Sequence, residues 1–381
     1  MNLKNKKIVI VTHEYATGPS HALEDYLNKR VDRLLFIGHP FVFAKDIRSH
    51  YRFYDQGGKL REEKTFFSFG SNQIISAAKD VILSLIWILK KGRFDIFVGV
   101  DSLNSLSGIV LKKLGIVKKV IYYTIDYVPE RFHSKLLNTI YLYLDSFVIK
   151  HSDIVWNLSQ VMTEEREKRG VDKKFRQKQI IVPVGTEVNI PEIPFGKIKR
   201  YHVVHMGHLM RKHGVQLAIE SIPHIIKVIP QFHLDIIGGG EYEEALKKLA
   251  KELEVSNYIT FYGFIQSHRK LERMLSVCAL GVAPYMDAED SYVRNSDPGK
   301  VKAYLAAGLP VIITKVPLIW KELVKYRCGV AVSYNARDLA RAIIWLLSEN
   351  QRLRQYRKNA KYAAKRYTWS KIFSKALAKS L

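Results

Sequence analysis

Lys300 has the setting in this chain that most suggests chemistry. It lies in the run Ser296-Asp297-Pro298-Gly299-Lys300, and an amphipathic stretch then leads to Gly308 and to the apolar, β-branched residues 310–314. Ser296 or Asp297 is suited to cap a helix, Pro298 to its first turn and Gly308 to its stop, with a buried strand following. A helix N-terminus offers unpaired N–H groups and the positive end of the macrodipole. A lysine beside it adds a full charge, so the segment suits an anion, above all a phosphate. Many capped helices before a strand bind nothing, and the reading therefore rests on the neighbouring motifs.

Three loops supply them. Residues 207–214, GHLMRKHG, place His208, Arg211, Lys212 and His213 between two glycines at a helix start, a composition that favours phosphate. Residues 238–241, GGGE, enter another helix, and Gly239 and Gly240 allow a ligand close to the backbone. Phe264 and Ile265, in YGFI, offer either a flat surface to a base or ordinary core packing. In the first half, His13 follows an apolar strand and is placed to orient a donor or an acceptor. Asp126, in YTIDY, is either a site carboxylate or a turn residue. Asp287, Glu289 and Asp290 lack the spacing of a metal framework and read as a solvated loop. His205 reads as structural, and His268 as a helix start.

The elements that must position these residues alternate between strand and helix. Apolar runs near 7–12, 34–38, 95–100, 119–124, 153–156 and 179–183 read as strands separated by helical segments, the longest over 72–91. Residues 185–200, rich in Pro, Gly and charge, read as a linker. The alternation then restarts with strands near 201, 232, 258, 279, 310 and 329. Two such runs in 381 residues predict an α/β chain of two doubly wound parallel-sheet domains, with ligands beyond the C-terminal strand ends and hence in the cleft between the domains.

Sixty-one Lys and Arg against 36 Asp and Glu give a net charge of +25, which calls for an anionic partner. A nucleic acid would supply one, but no zinc-finger spacing, RNP motif or arginine-rich tract is present. Residues 112–150 hold seven Lys and Arg against three Asp and Glu, interleaved with Tyr122, Tyr123, Tyr127, Phe132, Tyr141, Tyr143 and Phe147. That mixture suits an anionic membrane surface, and equally a basic face over core aromatics. Two distant cysteines form no disulfide framework. The apolar runs at 8–12 and 81–89 are too short for a signal peptide or a membrane span. The expected location is cytoplasmic, soluble or peripheral on the inner face of the cell membrane.

Taken in order, these motifs resemble those of the family 4 retaining glycosyltransferases (glycosyl transferases group 1). GHLMRKHG stands for the family's G-x-L-x-x-x-K-G, GGGE for its G-x-G turn, FYGFI for its F-x-G-F/Y strand end, and PGKVKAYLAAGLPV for its P-x-K-x-x-E-Y-x-A-x-G-x-P-V segment. Val184-Gly-Thr-Glu187 matches its N-G-V-D turn loosely, and the last helix, around Trp369, resembles one that crosses back to the first domain. The resemblance implies the GT-B fold: two Rossmann-like, doubly wound domains facing a central cleft. These are an acceptor-binding domain over 1–190, a nucleotide-sugar-binding domain over 191–366 and a returning helix over 367–381. It implies a UDP- or GDP-sugar donor whose diphosphate meets Arg211, Lys212, His213, Lys300, Asp297 and Gly299. Gly239 and Gly240 would lie near the nucleotide, and Phe264 and Ile265 near the base. The glycan or glycolipid acceptor would lie near Gly18, Asp101 and Asp126. The chemistry implied is retaining transfer without metal or other cofactor, and no nucleic-acid partner is expected. The chain departs from the family at Asn295 and Ala303, where two glutamates usually stand, and at His208 and His213, where the phosphate loop usually has arginine and lysine. A non-catalytic nucleotide-sugar-binding subunit and a nucleic-acid-binding protein are the alternatives.

Overall fold

The computed structural model describes residues 3–14, 18–41, 48–66, 73–188, 190, 193–287 and 292–381. The chain forms two compact units, Met1–Pro183 with Trp369–Leu381, and Val184–Thr368. The divisions fall after 183 and 368, where the sequence suggested 190 and 366.

The first unit contains β1 (Lys7–Glu14), β2 (Arg33–Pro40), β3 (Ser49–Asp55), β4 (Lys59–Phe66), β5 (Phe94–Val100), β6 (Val117–Thr124), β7 (Ile154–Asn157) and β8 (Gln179–Ile181), in the sheet order β4-β3-β2-β1-β5-β6-β7-β8. Six of these strands are parallel. β3 and β4 form an antiparallel hairpin on the edge, which departs from the expected all-parallel sheet. Their sequences, SHYRFYD and KLREEKTF, carry no continuous apolar run because an edge hairpin faces water. The helices Gln73–Lys91, Ser102–Lys113 and Lys135–His151 cover one face of the sheet. Their Leu83, Trp87, Ile88, Ile109 and Val148 pack on Val9, Val11, Leu35, Phe97 and Val155. Side chains alternate along a strand, so Trp156 points to the other face from Val155. There it meets the last helix, Trp369–Ser380, stacking on Phe373 with ring centroids 6.5 Å apart and donating from Nε1 to Ser380 Oγ at 2.9 Å.

The second unit is a six-stranded parallel sheet of β9 (Lys199–Met206), β10 (His233–Ile237), β11 (Ile259–Phe261), β12 (Cys278–Ala283), β13 (Val311–Thr314) and β14 (Gly329–Val332), ordered β11-β10-β9-β12-β13-β14. The order is doubly wound, and the strand sequence reverses between β9 and β12. In the first sheet the corresponding reversal lies between β1 and β5.

The described residues of the 185–200 stretch are not a free linker. The Val184 N–H donates to Asp297 at 2.6 Å, the Thr186 N–H donates to the Tyr367 carbonyl at 2.8 Å, and Ile193 and Phe195 pack on the second core. Asp297 is itself held by Lys302, whose buried Nζ donates to both carboxylate oxygens at 2.9 and 3.0 Å and lies 3.9 Å from the centre of the Tyr367 ring. Removing one member strands the other's charge in a low-dielectric setting. Asp297→Ala is therefore expected to cost about 3–5 kcal/mol in denaturant unfolding, and the double variant Asp297→Ala/Lys302→Met to recover a large part of that loss.

Candidate functional site

The helix Gly299–Ala306 begins at the C-terminal edge of the second sheet. Pro298 occupies its N-cap position, and no side chain caps it. This corrects the expectation that Ser296 or Asp297 would do so. Ser296 Oγ donates instead to the Val293 carbonyl at 2.9 Å, and Asp297 is spent on Val184 and Lys302. Asp297 is thus a structural counter-ion, while the positive end of the helix keeps its N–H groups free of a side-chain cap.

Lys300 turns its ammonium inward. The Nζ atom is buried without a hydrogen-bond partner, 5.1 Å from the centre of the Tyr285 ring. Burial lowers its pKa to about 7. Gly207, at φ +134°, lies directly against it, and a Cβ there would come within 2.9 Å of Nζ. Two histidines border the same space. His205 is fully buried, and burial, then the Lys300 charge, holds its pKa well below the ordinary value. His213 falls to about 4 through burial and then Lys300, and its Nδ1 donates to the His208 carbonyl at 2.6 Å. Both rings are neutral near pH 7, leaving Lys300 as the titrating group.

The flanking loops are shaped by close backbone approach. Gly238, at φ +133°, has no room for a Cβ, which would stand 2.0 Å from the Gly207 carbonyl oxygen. Gly240 abuts the backbone of Leu209, whereas Gly239 faces open space apart from Glu243 Oε2 at 3.9 Å. Gly239 therefore fits a ligand contact and Gly240 a packing role. Arg211 is exposed, and Lys212 is half-buried with its carbonyl accepting the Met286 N–H at 3.1 Å. His208 is exposed, 3.3 Å from Glu241. Phe264 is 81% exposed beside half-buried Ile265, so core packing does not account for the phenylalanine. The Asn295 side chain lies outside the described residues, as do Glu289 and Asp290. Ala303 is half-buried on the helix. Among the described residues, no group of three His, Cys, Asp or Glu could hold a metal ion.

Sequence reasoning missed Tyr304. Its hydroxyl accepts the Met206 N–H at 2.6 Å, and its ring lies over Gly281, fixing the helix to β9 and β12. An aromatic side chain inside a helix carries no sequence signal for such a role.

In the first unit, the reversal between β1 and β5 holds a polar network. His13 Nδ1 lies 2.7 Å from Asp101 and Nε2 lies 3.2 Å from Asp80. Burial works to lower the His13 pKa, but Asp101 and Asp80 together outweigh it and raise the value to about 9. Asp80 is buried, and burial works against its ionisation, yet hydrogen bonds from His13 and His39 hold it well below the usual carboxylate range. Both His13 nitrogens are thereby committed within the unit, and the imidazolium acts as a fixed cation. Asp101 has φ +76° and ψ 168°, a conformation that costs a non-glycine residue about 1–3 kcal/mol. Its side chain accepts the Asn104 N–H at 2.9 Å and so caps the next helix. Asp126 is exposed after β6, and Gly18 caps the helix Pro19–Leu27 with open space beyond its Cα. Asp80 escaped sequence reading because it is 67 residues from His13 and sits in a helix with no local motif.

Residues 190–363 match the family model described as Glycosyl transferases group 1, a span inside the second unit and just under half of the chain. An uncharacterized glycosyltransferase of Haemophilus influenzae is 30% identical over 101 residues, covering 26% of this chain and 29% of that one. The putative colanic acid biosynthesis glycosyltransferase WcaL of Escherichia coli is 20% identical over 270 residues, covering 67% and 62%. The chain thus spans less than two thirds of the length of these relatives. Among solved structures, Anabaena HepE in complex with UDP is similar at a TM-score of 0.69 and 15% identity, with 98% of this chain and 99% of that chain covered. The fold is GT-B: two parallel-sheet α/β domains.

The two titrating groups give opposite pH slopes. Lys300 has a native pKa of about 7 against an ordinary 10.5, so the unfolded chain holds the extra proton between those values and stability of the second unit rises with pH there. His13 is raised from 6.5 to about 9, so its contribution is complete below pH 6.5 and fades as pH rises through 9. Hydrogen exchange followed unit by unit from pH 7 to about 9 is expected to show the second unit tightening and the first loosening. Lys300→Met is expected to abolish the first trend and His13→Gln the second. At pH 7, Lys300→Met is expected to raise the melting temperature of the ligand-free protein by about 2–4 °C, the shift that about 1 kcal/mol gives in a domain of this size.

Proposed function

We propose that this chain is a retaining, metal-independent glycosyltransferase of group 1 that moves a sugar from a UDP- or GDP-sugar to a glycan or glycolipid acceptor. The observation that carries the reading is the unpartnered, buried Lys300 ammonium at an uncapped helix start, where the second sheet reverses its strand order. A cation in that condition is stabilised by an arriving anion, and a nucleoside diphosphate is the anion whose departure glycosyl transfer must assist.

The roles follow from position. Charge developing on the leaving diphosphate is met by Lys300, by the N–H groups of Gly299 and Lys300, and by Arg211 and Lys212 from the facing loop. These fixed positive groups do the work that a divalent cation does elsewhere. Gly239 gives the nucleotide close access to the backbone, and exposed Phe264 gives the base a face to stack on. HepE was solved with UDP, and WcaL is named a putative colanic acid biosynthesis glycosyltransferase, which supports a nucleotide-sugar donor and a glycan acceptor. In the retaining route, the leaving phosphate oxygen takes the proton of the acceptor hydroxyl as the hydroxyl attacks on the same face, so no carboxylate nucleophile is needed. The first unit binds the acceptor, with Asp126 at its strand ends and the His13–Asp101 pair holding the β1–β5 edge rigid. The reaction takes place in the cytoplasm, in keeping with two free cysteines.

Ala303 favours one second reading, a subunit that binds nucleotide sugars without transferring them, because the position lacks the family's glutamate. A thermal-shift panel of UDP- and GDP-sugars tests the donor site. A cognate donor at about a hundred times its Kd adds about 2.7 kcal/mol to stability, and a flat panel defeats the donor reading. With an active donor and acceptor, transfer is expected to survive EDTA and the product to keep the donor's anomeric configuration by NMR. Lys300→Met is expected to lower kcat by about 10²–10³. Donor binding without transfer or hydrolysis would select the second reading.

A further inference from the structure

The basic, aromatic-rich stretch 112–150 does not present its aromatics to solvent. Tyr122, Tyr123 and Tyr127 are buried, and Tyr143 is the one large exposed ring among those the sequence singled out. What the surface carries there is aliphatic. In the helix Gln73–Lys91, Ile75, Ile82, Ile86 and Leu89 are all exposed, at spacings i, i+7, i+11 and i+14 that share one side. In Lys135–His151, Leu136, Ile140 and Tyr143 repeat the pattern at i, i+4 and i+7. Between these two helices lies Ser102–Lys113, in contact with both, with Val110 and the adjoining Leu114 exposed. Of twelve large apolar side chains described as exposed in this unit, nine belong to this one helical layer.

The charges on the layer have one sign. The three helices contain seven lysines and two aspartates. Both aspartates are buried and paired inward, Asp80 with His13 and His39, and Asp145 with Arg166. Lys79, Lys91 and Lys112 are paired with Asp80, Glu62 and Asp153, so the exposed charge these helices carry comes from Lys90, Lys113, Lys135 and Lys150, with no exposed carboxylate of their own. We propose that this three-helix face docks on an anionic lipid surface, with the helices lying in the plane of the interface and their aliphatic stripes entering the headgroup–acyl boundary.

Charge selects this occupant over others. A second copy seated on the same face by two-fold symmetry would bring lysines against lysines. A nucleic acid would satisfy the lysines but leave the isoleucines without an apolar partner. An anionic bilayer satisfies both. Among the described residues no helix is long and apolar enough to cross a membrane, so the contact is a lateral one. The proposal goes beyond the transfer reaction and does not depend on it.

The test uses the whole chain and sedimentation with vesicles of phosphatidylcholine alone or with about one third phosphatidylglycerol. Wild type is expected to pellet with the anionic vesicles and not the neutral ones, and to be released by added salt. The variant Ile82→Glu/Leu136→Glu is expected to bind the anionic vesicles at least about tenfold more weakly, with the melting temperature and the nucleotide-sugar response unchanged. Wild type remaining in the supernatant at low salt, or equal binding by the variant, overturns the proposal. So does a wild-type dimer in light scattering that the variant dissolves. The nucleotide-sugar response is read on the same samples. Its loss alone would count against the donor site and leave the docking face standing.

Discussion

A desolvated ammonium without a counter-ion dictates much of the second unit. Lys300 Nζ is kept from water by Gly207, Tyr285 and the helix that bears it, so its charge is held at a cost the rest of the unit must offset. Nearby ionisable groups have adapted to it. His205 and His213 stay neutral, and the closest carboxylate in sequence, Asp297, is turned away and neutralised by Lys302. The glycine at 207 follows from the same constraint, since a side chain would occupy the space the ammonium needs. The six-stranded core, with Val203, Leu280 and Ile312 fully buried, supplies the rigidity that keeps the charge from escaping to solvent.

The first unit solves the opposite problem. At its own strand-order reversal the cation is surrounded, not isolated: His13 lies between Asp80 and Asp101, and Asp101 tolerates a backbone conformation that few non-glycine residues adopt. One sheet therefore carries an unsatisfied positive site and the other a satisfied, stiff one. The first arrangement suits capture of a strong anion. The second gives a rigid strand-end surface whose charges are already satisfied.

The fold was largely legible in the sequence because parallel strands buried on both faces appear as continuous apolar runs, such as 279–283 and 310–314. Lys300 and the glycine loops were legible for a local reason: backbone geometry at a strand-to-helix turn restricts residue type at fixed spacing. The β3–β4 hairpin was not, because only Tyr51 and Phe53 of β3 pack on the core, an alternation broken by Arg52 that leaves no apolar run, and its pairing depends on partners such as Arg52 and Glu63. The His13 network was hidden for a related reason, since its members come from three elements separated by up to 88 residues. The reassignment of Ser296 and Asp297 illustrates a limit of capping rules. A residue with the right side chain beside a helix start is free to cap only if no buried partner competes for it, and Lys302 does.

The chain leaves the first unit at Pro183 and returns to it at Trp369. Between those points the entire second unit is made. On a ribosome, residues 3–183 therefore emerge without the helix that covers Trp156, and the second unit, continuous in sequence, is complete first. During that interval the Trp156 face of the first sheet lacks Phe373 and Ser380, and Lys119 lacks the Ser380 carbonyl it bonds at 2.8 Å. Residues 369–381 thus act as a closing element in time as well as in space. A nascent chain halted shortly before them would expose an aromatic surface for chaperones to hold, and maturation of the first unit would wait on the synthesis of residues 369–381 and not on that of its first 183.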